Sequence, residues 1–282
     1  MIRLVLDADD VGLTRGVTDR VVALRLARRV TDVSLLASGE AFDLAASRLA
    51  GGGIHEAGVH LCLVGSEKPV SPPASVPTLL RNGRFRSSWP SVAAAVAAGL
   101  VRLAEVEKEW EAQVARVAAA GFRVTHLDGH QHLHLLPRLF PVVLSLARRF
   151  EVPFVRAPRR GDPAATAGAS FAARARARLL SRFGDAARRE LAKAGLPEPP
   201  RVLGLAEAGR MTLGRWKSLV TALPSDGTFE VVLHPGVSDE ETREKYRWGY
   251  SWGEESEALE SAELSALFAE RNVDLVSFGE LI

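Results

Sequence analysis

The feature that most restricts the fold of this chain is a series of short apolar runs that end on acidic or imidazole side chains. Residues 2–7 run through Ile, Leu and Val into Asp7-Ala8-Asp9-Asp10. Residues 32–36 and 57–63 repeat the pattern, the latter carrying Gly58-Val59-His60-Leu61. Residues 122–128 close on Asp128-Gly129, and 230–233 lead into His234-Pro235-Gly236. Further short strands are predicted at 152–156, 202–206 and 273–277. Apolar runs without alternation suit strands buried on both faces, as in parallel sheets. Between them lie helical stripes: 17–28, 40–50 stopping at Gly51-Gly52-Gly53, 104–120 with Val106, Trp110, Val114 and Val117, and a helix from Pro137 to about 149. Segment 64–91, rich in Pro, Ser and Gly, reads as a long loop. About eight strands alternating with helices over 282 residues predict an α/β fold, a single (β/α) barrel-like domain of some irregularity spanning 1–282. Strand C-termini gather on one face of such a fold, and the suspicious polar residues all follow strands.

Composition narrows the class. A hydrophobic fraction of 47% excludes a disordered chain. The 36 basic and 34 acidic side chains leave a formal charge of +2, too balanced for a dedicated nucleic-acid binder. The single cysteine, Cys62, allows neither a disulfide framework nor a Cys-rich zinc ribbon and fits a reducing cytoplasm. Acidic residues arrive before any signal-peptide core could form, and no apolar run approaches the roughly 20 residues of a membrane span, so the expectation is a soluble cytoplasmic protein.

The chemistry lies in the histidines. His126, His130, His132 and His134 fall within nine residues, directly after a buried strand. Neutral imidazoles and carboxylates together make mixed nitrogen–oxygen metal sites, but four histidines in one turn cannot all be ligands; some should orient the others or contact substrate. Asp9 and Asp10, adjacent at a strand end, repel one another and call for a cation. One can ligate while the other accepts a proton. His60 taken alone reads more readily as a satisfied core histidine.

In this order, Asp9-Asp10-Val11-Gly12-Leu13, Gly58-Val59-His60-Leu61, Thr125 to His132 and His234-Pro235-Gly236 resemble the motifs of YdjC-like carbohydrate deacetylases nearly end to end. Within that family the chain looks most like the hopanoid-biosynthesis-associated deacetylases, through His130 to Pro137, Leu203 to Ala206 with Gly209-Arg210, and Trp248-Gly249-Tyr250. The resemblance implies Asp10, His60 and His130 as ligands of one divalent ion, zinc or magnesium. It implies Asp9 as the catalytic base and His234 as the general acid. Val11 stands where the family commonly has an aromatic residue; no ligand is lost by it. The implied reaction is hydrolysis of an N-acetyl group on an amino sugar, an N-acetylglucosaminyl group on a hopanoid or other lipid, with release of acetate. Soluble chitooligosaccharides are the alternative substrate.

Two segments bear on partners. Tyr246, Trp248, Tyr250 and Trp252 alternate and either line a sugar or lipid site or pack on the barrel. Residues 171–195 carry seven basic against two acidic side chains with interleaved Leu and Phe. They read first as a solvated helix face, and as a peripheral contact with the inner membrane surface if the substrate is a glycolipid. A homo-oligomer is left open. Competing classes are a two-metal phosphoesterase or amidohydrolase, a non-catalytic carbohydrate-binding protein with a structural ion, and a glycosidase. The last is disfavoured because adjacent carboxylates cannot flank a scissile bond.

Overall fold

The computed structural model describes residues 1–162, 164 and 170–282. In chain order the elements are β1 (Ile2–Val11), α1 (Arg15–Leu26), β2 (Asp32–Leu35), α2 (Phe42–Gly51), β3 (Glu56–Leu61), β4 (Leu80–Arg81), β5 (Arg84–Phe85), α3 (Trp89–Ala97), α4 (Leu103–Ala119), β6 (Arg123–Gly129), α5 (Phe140–Arg149), β7 (Phe154–Val155), α6 (Phe171–Lys193), β8 (Arg201–Leu203), α7 (Leu213–Ala222), β9 (Gly227–Leu233), α8 (Glu240–Lys245), α9 (Trp252–Glu260), α10 (Ala262–Glu270) and β10 (Val273–Leu275). Eight strands form one parallel sheet in the order β7-β6-β3-β2-β1-β9-β8, with β10 pairing the start of β1 on the side that β2 takes up further along. The sheet curls into a half-barrel flanked by helices. Arg156, just past edge strand β7, reaches across the curl to Glu230 on β9. This is the barrel-like α/β domain expected from the strand–helix alternation, left open between β7 and β8.

β1 is the central strand because its apolar residues are needed on both faces: Leu4, Val5, Leu6 and Ala8 are all buried. It does not stop at Asp7 but carries the acidic run as strand through Val11. Its last residues turn sharply, with Asp10 in the left-handed region at φ 61°. The helix expected from Pro137 begins at Phe140, with Pro141 in its first turn.

Segment 64–91 is more ordered than a long loop. It holds two 3₁₀ turns (Pro73–Ser75 and Pro77–Leu79), the β4–β5 hairpin and the start of α3. The buried carboxylates of α4 fasten it: Glu109 accepts from the amides of Val70 and Ser71, each at 2.9 Å, and Glu105 from the amide and hydroxyl of Thr78, each at 2.7 Å. Helix α3 and helices α7 to α10 did not stand out from sequence periodicity. They are 6 to 10 residues long, too short for a sustained stripe.

Candidate metal centre

The C-terminal ends of β1, β3 and β6 bring Asp10, His60 and His130 together. Asp10 Oδ1 lies 3.3 Å from His60 Nε2 and 2.9 Å from His130 Nδ1, and the two ring nitrogens are 3.3 Å apart. Ligands held by one ion at about 2.1 Å stand roughly 3.0–3.4 Å from one another, so the spacing fits a single ion. The donor chemistry fits as well. His60 Nδ1 is 2.9 Å from Asp128 Oδ1, which fixes its proton there and turns the Nε2 lone pair towards Asp10. Asp10 Oδ1 is buried without a hydrogen-bond partner. Three electron-pair donors converging in a buried place call for a cation. Burial opposes charge on these groups, yet attraction wins at two of them. His130 and His60 hold Asp10 well below the carboxylate range, and Asp128 and Asp9 hold His60 well above the usual imidazole range, so a positive charge, proton or metal ion, is favoured at His60 Nε2.

Local backbone serves this geometry. His130 opens a tight turn, His130–Leu135, in which Gln131 and His132 are both left-handed, at φ 52° and 57°. With Asp10, that places three strained non-glycine residues around one site, where such strain is commonly stored. Gly58 is required by packing, since a Cβ there would lie 2.1 Å from His126 Nε2.

The remaining histidines separate by role. His126 is 2.9 Å from Asp7 Oδ2 and stacks on Phe278 at 4.1 Å. Burial opposes its charge, but Asp7 raises it to about 9. His134 donates from Nε2 to the carbonyl of Arg156 at 2.9 Å, and burial pushes it down to about 4. His132 lines the cleft above the trio.

Asp9 faces the same cleft from β1 and is gripped by Arg156, with Nη1 to Oδ2 at 2.7 Å and Nη2 to Oδ1 at 2.8 Å. Burial lifts its pKa to about 8 against the pull of the guanidinium. His234 Nε2 is 3.9 Å from Asp9 Oδ2. Its backbone N–H donates to Glu255 Oε2 at 2.6 Å, and burial lowers its ring to about 4. All five residues singled out in the sequence therefore meet.

Arg156 was missed. It also lies 2.8 Å from Asp7 Oδ2 and 2.7 Å from Asp128 Oδ2, and its Nε donates to Glu230. An arginine ending the apolar run Val152-Pro153-Phe154-Val155 is the same strand-end signal that exposed the aspartates, carried by the opposite charge. Two further groups of ligand-type residues, Asp7 with His126 and Asp128, and Asp9 with His60 and Asp128, are close enough for an ion. The guanidinium already supplies the cation in both, which leaves room for one metal at the trio.

The cleft over the trio measures about 950 Å³. The aromatic run divides between the two readings open in the sequence. Trp248 and Tyr250 line the cleft, their rings 5.2 Å from His130 and 4.9 Å from His234. Tyr246 and Trp252 are buried, and the Tyr246 hydroxyl donates to Glu67 at 2.8 Å. Helix α6 adds Leu179 and Leu180 beside Arg176, and Leu205 lines the cleft as well. No helix among the described residues is long and apolar enough to cross a membrane.

Comparison with known proteins agrees along the whole length. A family model described as YdjC-like protein matches residues 3–270. A protein of Brevibacillus brevis named carbohydrate deacetylase is 28% identical over 99% of both chains. A mouse protein of the same name is 33% identical over 83% of this chain and 78% of its own. A solved structure from Enterococcus faecalis, named for a proposed role in cellobiose-phosphate cleavage, superposes with a TM-score of 0.77 at 26% identity, covering 99% of this chain and 98% of the other.

Proposed function

The chain belongs to the YdjC-like family, and on that premise we propose that it is a carbohydrate deacetylase, a hydrolase that removes the acetyl group of an N-acetylated amino sugar as acetate. The observation that carries this reading is a one-ion ligand trio beside a carboxylate that a buried arginine holds and keeps from ligating.

Asp10, His60 and His130 would hold one divalent ion. Two nitrogens and one oxygen suit zinc better than magnesium, which prefers all-oxygen shells. Such an ion, when bound, polarises an acetamide carbonyl and makes water acidic. Asp9 takes the proton from the attacking water. Its pKa of about 8 matches a base working near neutral pH, and the two bonds from Arg156 fix its direction. His234 starts neutral and acts as the acid after receiving the proton that the water gave up, passing it to the departing amine. No acyl-enzyme is needed, and attack by water separates acetate from the amine directly. A mere carbohydrate-binding protein would have no use for Asp9 beside the ligands, and a two-metal phosphoesterase would need the space that Arg156 fills.

The substrate reading is an N-acetylglucosaminyl group on a hydrophobic aglycone such as a hopanoid. Trp248 and Tyr250 offer a ring-stacking wall for the sugar, and Leu179, Leu180 and Leu205 apolar surface for the aglycone. Burying about 100 Å² of aglycone would contribute roughly 2.5 kcal/mol, somewhat under a hundredfold in selectivity. A soluble disaccharide is the second reading, favoured by the name of the Enterococcus relative. The test compares kcat/KM for an acetylglucosaminyl lipid in mild detergent with that for diacetylchitobiose. The lipid should win by tens of fold; preference for diacetylchitobiose would make this a soluble-sugar deacetylase. Peripheral membrane contact through residues 171–195 accompanies the lipid reading.

A further inference from the structure

Helix α6 walls two cavities. Arg176, Leu179 and Leu180 face the cleft. On the other side, Arg178, Ser181 and Arg182 face a groove of about 530 Å³, closed opposite by Arg159 and Arg160 from the loop after β7. Leu205 touches both.

The acids nearby are already taken. Asp162 pairs with Arg201 and Asp185 with Arg160, while Glu190 pairs with Lys193 and Glu198 with Arg188. Arg159, Arg178 and Arg182 therefore have no acidic partner among the described residues. Three uncompensated guanidinium groups on one groove repel one another and favour an anion between them.

Beside the groove the helix exposes apolar surface. Phe171 is 86% exposed and Leu179 45%. Spacings of 7 and 11 residues place Phe171, Arg178 and Arg182 on one stripe of the helix. Exposed aromatic and aliphatic side chains among arginines are the composition of a helix lying at a lipid interface. A nucleic acid would use the charge but leave the apolar residues in water.

We infer that the groove and the outer stripe of α6 form a docking surface for an anionic lipid bilayer. Arg159, Arg178 and Arg182 receive headgroup phosphates, and Phe171 and Leu179 enter the interface. Because Leu179 also lines the cleft, docking on this face opens the cleft towards the membrane. The inference rests on the lipid-linked substrate reading for its purpose alone, since binding to vesicles requires no turnover.

The test is sedimentation of the full-length protein with phosphatidylcholine vesicles, with and without phosphatidylglycerol, beside the triple variant R159Q/R178Q/R182Q and the variant Phe171→Ser. The protein should bind only vesicles containing phosphatidylglycerol and be released by high salt. Each arginine should count for about fivefold, so the triple variant should bind on the order of a hundredfold more weakly. Phe171→Ser should weaken binding by roughly tenfold. The triple variant should keep its melting temperature and its turnover of a soluble N-acetylated sugar, which separates failed docking from a failed fold or a failed deacetylase reading. Absence of binding, indifference to phosphatidylglycerol, or full binding by the triple variant would overturn the inference. So would inorganic phosphate binding at these arginines without vesicle binding, which would mark a site for free anions.

Discussion

Two buried charge clusters lie side by side at the C-terminal ends of the strands, built on opposite principles. In one, Asp10, His60 and His130 point lone pairs at a common space that opens on the cleft, and Asp10 Oδ1 has no hydrogen-bond partner. In the other, Asp7, Asp9, Asp128 and Glu230 surround Arg156, which contacts all four and is 1% exposed. The second cluster carries its own cation in covalent form, although Asp7 Oδ1, Asp128 Oδ2 and Glu230 Oε2 are left without a hydrogen-bond partner around it. The first, in the proposed reading, takes its ion from outside. A cluster built around a buried side-chain cation reads as scaffold; a cluster of converging donors with no such cation, at the floor of a cleft, reads as a site for chemistry. Asp9 and Asp128 connect them, Asp9 by facing the cleft and Asp128 by orienting His60.

The comparison breaks most directly at Arg156. Arg156→Met leaves four buried carboxylates without their cation, and removing one partner of a buried ion pair costs about 3–5 kcal/mol. That is a large share of the roughly 5–15 kcal/mol by which a domain is stable. Urea unfolding should show that loss; a variant as stable as the parent would mean the cluster is not scaffold.

Replacing Asp10, His60 or His130 with Ala should act the other way. Turnover should fall on the order of a thousandfold, since several kcal/mol of carbonyl polarisation are lost. Bound metal should drop sharply while the unfolding midpoint stays near that of the metal-free parent. Full metal occupancy in all three variants would remove the ligand assignment.

The pH dependence of stability sharpens the contrast within the scaffold. His134 is pushed down to about 4 by burial from an ordinary value of 6.5. Its contribution is present above pH 6.5 and lost as pH falls from 6.5 through 4, at most about 3 kcal/mol. His126, raised to about 9 beside Asp7, contributes below pH 6.5 and loses its share as pH rises to 9. His134→Gln should make the acid limb shallower, the remainder belonging to His234, which burial also lowers to about 4, and leave the alkaline limb alone. An unchanged slope between pH 6.5 and 4 would show that His134 contributes nothing to that limb.

Much of this was legible in the sequence because parallel strands announce themselves by apolar runs, and their ends by the polar residue that stops the run. That rule located Asp9 with Asp10, His60, His130 and His234, four places far apart in the chain that meet in the structure. It did not locate Arg156, because an arginine at a strand end suggests solvent until its four carboxylates are known. Glu255, buried and raised to about 7 by burial while accepting from the amides of His234 and Met211, sits in a short helix with no stripe to mark it. The order within 64–91 was hidden because its anchors, Glu105 and Glu109, lie outside the apolar stripe of Val106, Trp110, Val114 and Val117.

In the proposed mechanism one carboxylate of the adjacent pair ligates while the other moves the proton. Asp9→Asn tests it, because the amide keeps the side chain's shape and removes the proton acceptor. Metal content and acetate release should be measured on the same preparation. About one equivalent of divalent metal is expected, as in the parent, with acetate release reduced on the order of a hundredfold or more. Near-normal acetate release would assign the base elsewhere, and loss of the metal with the activity would make Asp9 a ligand.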